Sequence, residues 1–172
     1  RAAAMNAHVS QLASGEGLDY HLDIARPGNT FDAHRLIHLA AAHGKQGEAK
    51  ERLMRAYFTE GAAIGEREAL VALGVELGLP AEDVRAALES DTYAAEVRAD
   101  ENRARMFGIS GVPFFAIDER YGISGAQPPE LFVQTLEQAW AEAHPLTMVG
   151  VAGTDAADCA DGSCAIEPAS KE

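Results

Sequence analysis

Few side chains in this chain could carry chemistry, and each group points to a different kind. The only two cysteines, Cys159 and Cys164, stand as Cys-Ala-Asp-Gly-Ser-Cys near the end of 172 residues. Four intervening residues with Asp-Gly at the centre can turn tightly enough to bring two Cα atoms within disulfide range. Zinc is disfavoured, because two thiolates are half a tetrahedral site and no histidine lies nearby in sequence. Closing so short a loop gains about 2 kcal/mol from chain entropy, and the tail around it packs too little core for a structural role. A redox role and two unreactive thiols both stay open, since acidic surroundings disfavour the thiolate.

His34 and His38 lie one helical turn apart, a spacing that can hold a metal, but no third ligand is evident. Asn29 or Thr30 can cap their helix, with Asp32 well placed in its first turn. At about 100° per residue, Ala33, Leu36, Ile37 and Ala40 share one face. Phe31, His34, Arg35 and His38 fall opposite, and that face reads as solvated, the alternative being the border of a functional groove. Asp100 stands among Tyr93, Val97, Ala104 and Phe107 on another helix. A buried acid there could relay protons, whereas tilting to the helix edge gives it no such role, and the second reading is preferred.

Val112-Pro113 opens the most informative stretch, Gly108 to Gln127. Gly108 suits the C′ position of the helix before it. Phe114–Ile117 and Tyr121–Ser124 are short β-type runs separated by Asp118-Glu119-Arg120, which reads as a hairpin. Proline cannot donate to a ladder and belongs at the start of a strand. There it leaves the backbone of Val112 facing outward. Phe114–Ile117 is apolar on both faces, which suits a strand covered on both sides.

These residues are carried mainly by helices. Helices are expected over 2–13, 30–43, 48–60, 66–77, 81–88 and 91–107, the last capped by Asp91. Pro128-Pro129-Glu130 starts a final helix whose core face holds Leu131, Phe132, Thr135, Leu136, Ala139 and Ala143, with Trp140 at its margin. Tyr20, Leu22 and Ile24 alternate with His21 and Asp23, as in a short strand or an extended segment. Beyond His144-Pro145 the composition turns small and acidic, as in a flexible tail.

The net charge of −13 disfavours nucleic acid and anionic membrane surfaces as partners. No apolar run approaches the roughly 20 residues that span a bilayer, and no leader pattern is read, so a cytoplasmic setting is expected. No metal or other cofactor is expected. The beginning, Arg1-Ala2-Ala3-Ala4-Met5, has neither initiator methionine nor N-cap and reads as the start of a fragment. The strands agree. A two-stranded sheet is marginal alone, so the missing strands are expected from a preceding segment or another polypeptide.

The run Asp100-Glu101 and then Gly108-Ile109-Ser110-Gly111-Val112-Pro113-Phe114-Phe115 resembles the second half of DsbA-like thioredoxin-fold proteins. Tyr121 to Pro128 (YGISGAQP) and Arg26 to Leu36 (RPGNTFDAHRL) resemble the FrnE-type branch of that family. The similarity covers about residues 1–144. It implies an α/β fold of the DsbA type with a large helical insertion, here lacking its first β-α-β unit. The implied domains are a mostly helical insertion over 1–90, the second half of the thioredoxin-like domain over 91–144, and an acidic tail over 145–172. It further implies a cis Pro113 beside a redox site, and thiol–disulfide oxidoreductase activity on protein or small-molecule substrates. Such proteins carry a C-x-x-C at a helix N-terminus, where the thiolate is favoured.

No C-x-x-C occurs in this sequence, so the chain alone is expected to be inactive. Val112 and Pro113 are the expected substrate-binding residues, and Asn29, Thr30, His34 and Arg35 are expected beside the thiols. Paired tail cysteines in some FrnE-type relatives imply that Cys159 and Cys164 form a secondary redox pair. Two alternatives stand beside this reading. One is a glutathione-dependent isomerase or transferase of the kappa or 2-hydroxychromene-2-carboxylate isomerase type, with a serine in place of the nucleophilic cysteine. The other is a non-catalytic peptide-binding module. Substrate, direction of electron flow and oligomeric state are not encoded in these motifs.

Overall fold

The computed structural model describes residues 2–146. Cys159, Cys164 and nearly all of the expected tail lie outside them. The described residues form two compact units, one running up to Ser110 and one beginning at Gly111. Helix 91–107, expected with the hairpin, lies in the first.

Six helices make the first unit: α1 (Ala2–Gly15), α2 (Phe31–Ala42), α3 (Gln46–Phe58), α4 (Arg67–Glu76), α5 (Ala81–Glu89) and α6 (Ala94–Met106). Alanine spacing explains how α2 and α3 approach so closely. Ala33 and Ala40 on α2, and Ala49 and Ala56 on α3, are buried and leave the helices little side-chain bulk to separate them. Leu36, Leu70, Val84 and Leu88 fill the space where α2, α4 and α5 meet. Gly74 makes that meeting possible, because a Cβ there would lie 2.8 Å from Val84 Cγ2. The core is jigsaw-packed at this point, with no room for one more methyl.

Three expectations change in this unit. Tyr20–Ile24 is not a strand, and Leu22 to Ile24 form a turn: the His21 N–H donates to the Phe58 carbonyl at 2.7 Å, and Tyr20 stacks on Phe58 at 4.6 Å. Tyr20 therefore packs on the end of α3, and among the described residues the segment pairs with no strand. Asp91 does not cap α6. Its carbonyl instead accepts the Ala94 N–H, and the helix starts after Tyr93, which has a left-handed φ of 63°. Arg35 is not solvated but buried, at 5% exposure.

The second unit holds β1 (Phe114–Ile117), β2 (Tyr121–Ser124) and α7 (Pro129–Ala143). The strands pair antiparallel, Phe114 opposite Ser124 and Ile117 opposite Tyr121. Asp118 and Glu119 both take positive φ, 52° and 56°, as the tight primed turns of hairpins require. Among the described residues the sheet has two strands. Phe115 is accordingly 42% exposed, so the burial expected on both faces of β1 is not seen. On α7 only Ala139 is buried, and Leu131 and Leu136 of the expected core face are exposed.

Candidate functional site

Val112 and Pro113 stand at the entrance to β1. The Val112–Pro113 peptide bond is cis. The Pro113 carbonyl accepts the Gly125 N–H at 2.9 Å, which fixes the start of β1 to the end of β2. Val112 is 91% exposed, and no hydrogen bond ties its N–H or carbonyl to another described residue. An exposed backbone amide and carbonyl beside a fixed strand end can receive an extended peptide by strand-like pairing.

Side-chain contacts hold the hairpin to α7. Phe115 meets Phe132 edge to face at 4.8 Å, and Arg120 pairs with Glu142 at 3.0 Å. Hydrogen bonds from Tyr121 and Gln138, together with the Arg120 charge, hold the Glu142 carboxyl below its usual range. The same hydrogen bond to Glu142 pushes the Tyr121 phenol up. Sequence reading missed this cluster. Its members are 22 residues apart from Arg120 to Glu142, and no local pattern joins them.

The other expected site residues gather at the N-terminus of α2. Asn29 Oδ1 accepts the Phe31 N–H at 2.9 Å, while Thr30 holds the N-cap position without a side-chain bond. Gly65 allows the neighbouring loop to lie against Asn29, where a Cβ would meet the Asn29 carbonyl oxygen at 3.1 Å. Arg26 pairs with Glu66 at 3.0 Å across the same two loops. Asn29, Thr30 and His34 are exposed together there.

Arg35 leaves this group and turns inward. Its Nε donates to the Thr92 carbonyl at 2.9 Å and its Nη1 to Asp32 Oδ1 at 2.8 Å. Its Nη2 donates to the carbonyls of Ala87 and Ser90. The guanidinium thus satisfies carbonyls at the C-terminal end of α5, where cations are favoured. Its one sequence cue is Asp32, one turn earlier on the same helix.

His38 pairs with Asp100 at 2.9 Å. Asp100 is exposed, in keeping with the reading that placed it at the helix edge. Among the described residues no cluster of three or more histidine, cysteine or acidic side chains could hold a metal ion. No helix among them is long and apolar enough to cross a membrane.

A mostly helical chain with a proline-led hairpin and a closing helix defines a thioredoxin-like class with helical insertion. Residues 1–137 match the DSBA-like thioredoxin domain family, and the chain belongs to it. Five solved chains are similar to it. One is a probable DsbA oxidoreductase from Streptomyces coelicolor, 42% identical, with a TM-score of 0.75 over 96% of this chain and 69% of that one. No curated protein matches the chain. Its fold is therefore the DsbA-like thioredoxin fold, within a family of thiol–disulfide oxidoreductases.

Proposed function

We propose that the chain belongs to a FrnE-type thiol–disulfide oxidoreductase and supplies the surface on which the substrate rests. The observation that carries this reading is Val112, with its backbone exposed and unpaired beside the fixed Pro113. A polypeptide or small-molecule disulfide lying along Val112 would present one sulfur to an attacking thiolate. That thiolate forms a mixed disulfide as the original S–S bond breaks, and the second sulfur leaves as a thiolate. The partner thiol of a C-x-x-C then attacks the mixed disulfide, is oxidised with its neighbour, and releases the reduced substrate. Running these steps in reverse oxidises a dithiol.

Residues 1–172 contain no C-x-x-C, so in this reading they bind substrate and leave exchange to a segment that carries one. Asn29, Thr30 and His34 would offer exposed polar groups at the positive end of α2, with Arg35 holding that helix in place. Cys159 and Cys164 would serve as a secondary pair, exchanging with the catalytic thiols. Similarity to the probable DsbA oxidoreductase favours a cysteine nucleophile over the serine of the kappa-type alternative.

The test compares two proteins in an insulin disulfide-reduction assay with dithiol present. Residues 1–172 should give the background rate, and the longer protein with its C-x-x-C should exceed that rate at least tenfold. A longer protein no faster than background would overturn the reading.

A further inference from the structure

A concave site lies on the first unit, away from the elements so far given a role. A cavity of about 320 Å³ opens between the segment after α1 and the C-terminal half of α3. That volume is near the lower end of small-ligand pockets, roughly 300–1,000 Å³, and holds one large side chain with its neighbour. Its walls are already fixed. The His21 N–H donates to the Phe58 carbonyl at 2.7 Å, and Thr59 Oγ1 donates to the Asp19 carbonyl at 2.7 Å. Tyr20 and Phe58, stacked at 4.6 Å, both line it.

The apolar lining is open to solvent. Leu18 and Met54 are 51% and 52% exposed, although leucine and methionine are ordinarily buried. A thioether beside two rings is adaptable and suits aromatic guests. Charged residues at the rim choose the guest's sign. Asp19 and Glu51 line the opening with one cation, Arg55, which reaches Glu51 at 3.9 Å, while the Asp19 carboxylate also meets His21 Nε2 at 3.2 Å. The rim is therefore net negative, on a chain whose overall charge of −13 draws cations from a distance.

We propose that this cavity binds polypeptides through an aromatic or large aliphatic side chain flanked by lysine or arginine. The side chain enters against Tyr20, Phe58 and Met54, and the flanking cations meet Asp19 and Glu51. No cysteine takes part, so the site stands apart from the thiol exchange proposed above and can be tested without it.

The test uses the protein with its methionine methyl groups labelled with carbon-13, the Met54 signal being assigned from Met54→Leu. Three capped peptides are titrated at low salt: Lys-Phe-Lys, Lys-Ala-Lys and Glu-Phe-Glu. Lys-Phe-Lys should shift the Met54 methyl signal in a saturable way, and the other two should bind at least several-fold more weakly. Glu51→Gln and Asp19→Asn should each weaken Lys-Phe-Lys roughly two- to five-fold, the size of one exposed charge pair, with the loss fading as salt is added. No response at Met54 would overturn the proposal, as would equal binding of Lys-Ala-Lys or Glu-Phe-Glu, or full affinity in both variants.

Discussion

Arg35 on α2 donates from Nε to the carbonyl of Thr92, 2.9 Å away and 57 residues later in the chain. The same guanidinium serves the Ala87 and Ser90 carbonyls and the Asp32 carboxylate. One buried cation therefore joins the start of α2 to the α5–α6 junction. Replacing it leaves buried carbonyls unmet and Asp32 without its near partner. Arg35→Ala should lower stability by about 2–4 kcal/mol, and Arg35→Lys should recover only part of that, because an ammonium lacks the planar fork. Urea unfolding of both variants checks this. A loss below about 1 kcal/mol for Arg35→Ala, the size of an ordinary surface change, would contradict the clamp.

Gly74 offers an independent test of the helical core. A methyl group added there would lie 2.8 Å from Val84 Cγ2 and 3.2 Å from Val84 Cγ1. Gly74→Ala should destabilise by about 1–3 kcal/mol through overpacking, outweighing a helix-propensity gain of about 1 kcal/mol. Combining it with Val84→Ala should cost less than the two losses added together, since each relieves the other. Strict additivity in urea unfolding would show that the two positions do not meet.

The Tyr121–Glu142–Arg120 cluster gives the second unit a pH signature. Glu142 is held below its ordinary value of 4.5, first by the Tyr121 hydrogen bond, then by Gln138 and the Arg120 charge. A depressed folded pKa stabilises fully above the unfolded value, and that contribution is lost as pH falls through the folded one. Tyr121 is raised above its ordinary 10.0, chiefly by Glu142, so its contribution is present below 10.0 and lost as pH rises through the folded value. Glu142→Gln should flatten both limbs of the stability profile. An ordinary Glu142 titration by NMR would contradict the cluster.

Much of the helical order was legible because alanine, glycine and proline punctuate it. Gly44, Gly61 and Gly78 each take positive φ just beyond a helix, and Pro80 and Pro129 stand at helix starts. The hairpin was legible for the same local reasons. Other features depend on partners distant in sequence. Tyr20–Ile24 has strand-like alternation, yet Phe58 supplies the ring and carbonyl that hold Tyr20 and His21, and Leu22 to Ile24 form a turn. Arg35 is polar on a helical wheel, and only the carbonyls of α5 and its following loop make burial favourable. At the candidate site, Val112-Pro113 could be read from strand chemistry, whereas Glu142 became visible only once α7 was folded onto the hairpin.

The central claim is that substrate lies along the backbone of Val112 during thiol exchange. It is tested most directly in the longer, C-x-x-C-bearing protein that the proposed function calls for, with the second cysteine of that motif replaced by alanine to trap a mixed disulfide with a cysteine-containing peptide. Amide hydrogen exchange is then compared between the trapped and free proteins. The Val112 N–H, without a partner among the described residues, should become protected at least tenfold on trapping, a change equivalent to about 1.4 kcal/mol. A mixed disulfide that forms while Val112 exchanges as fast as before would contradict the account.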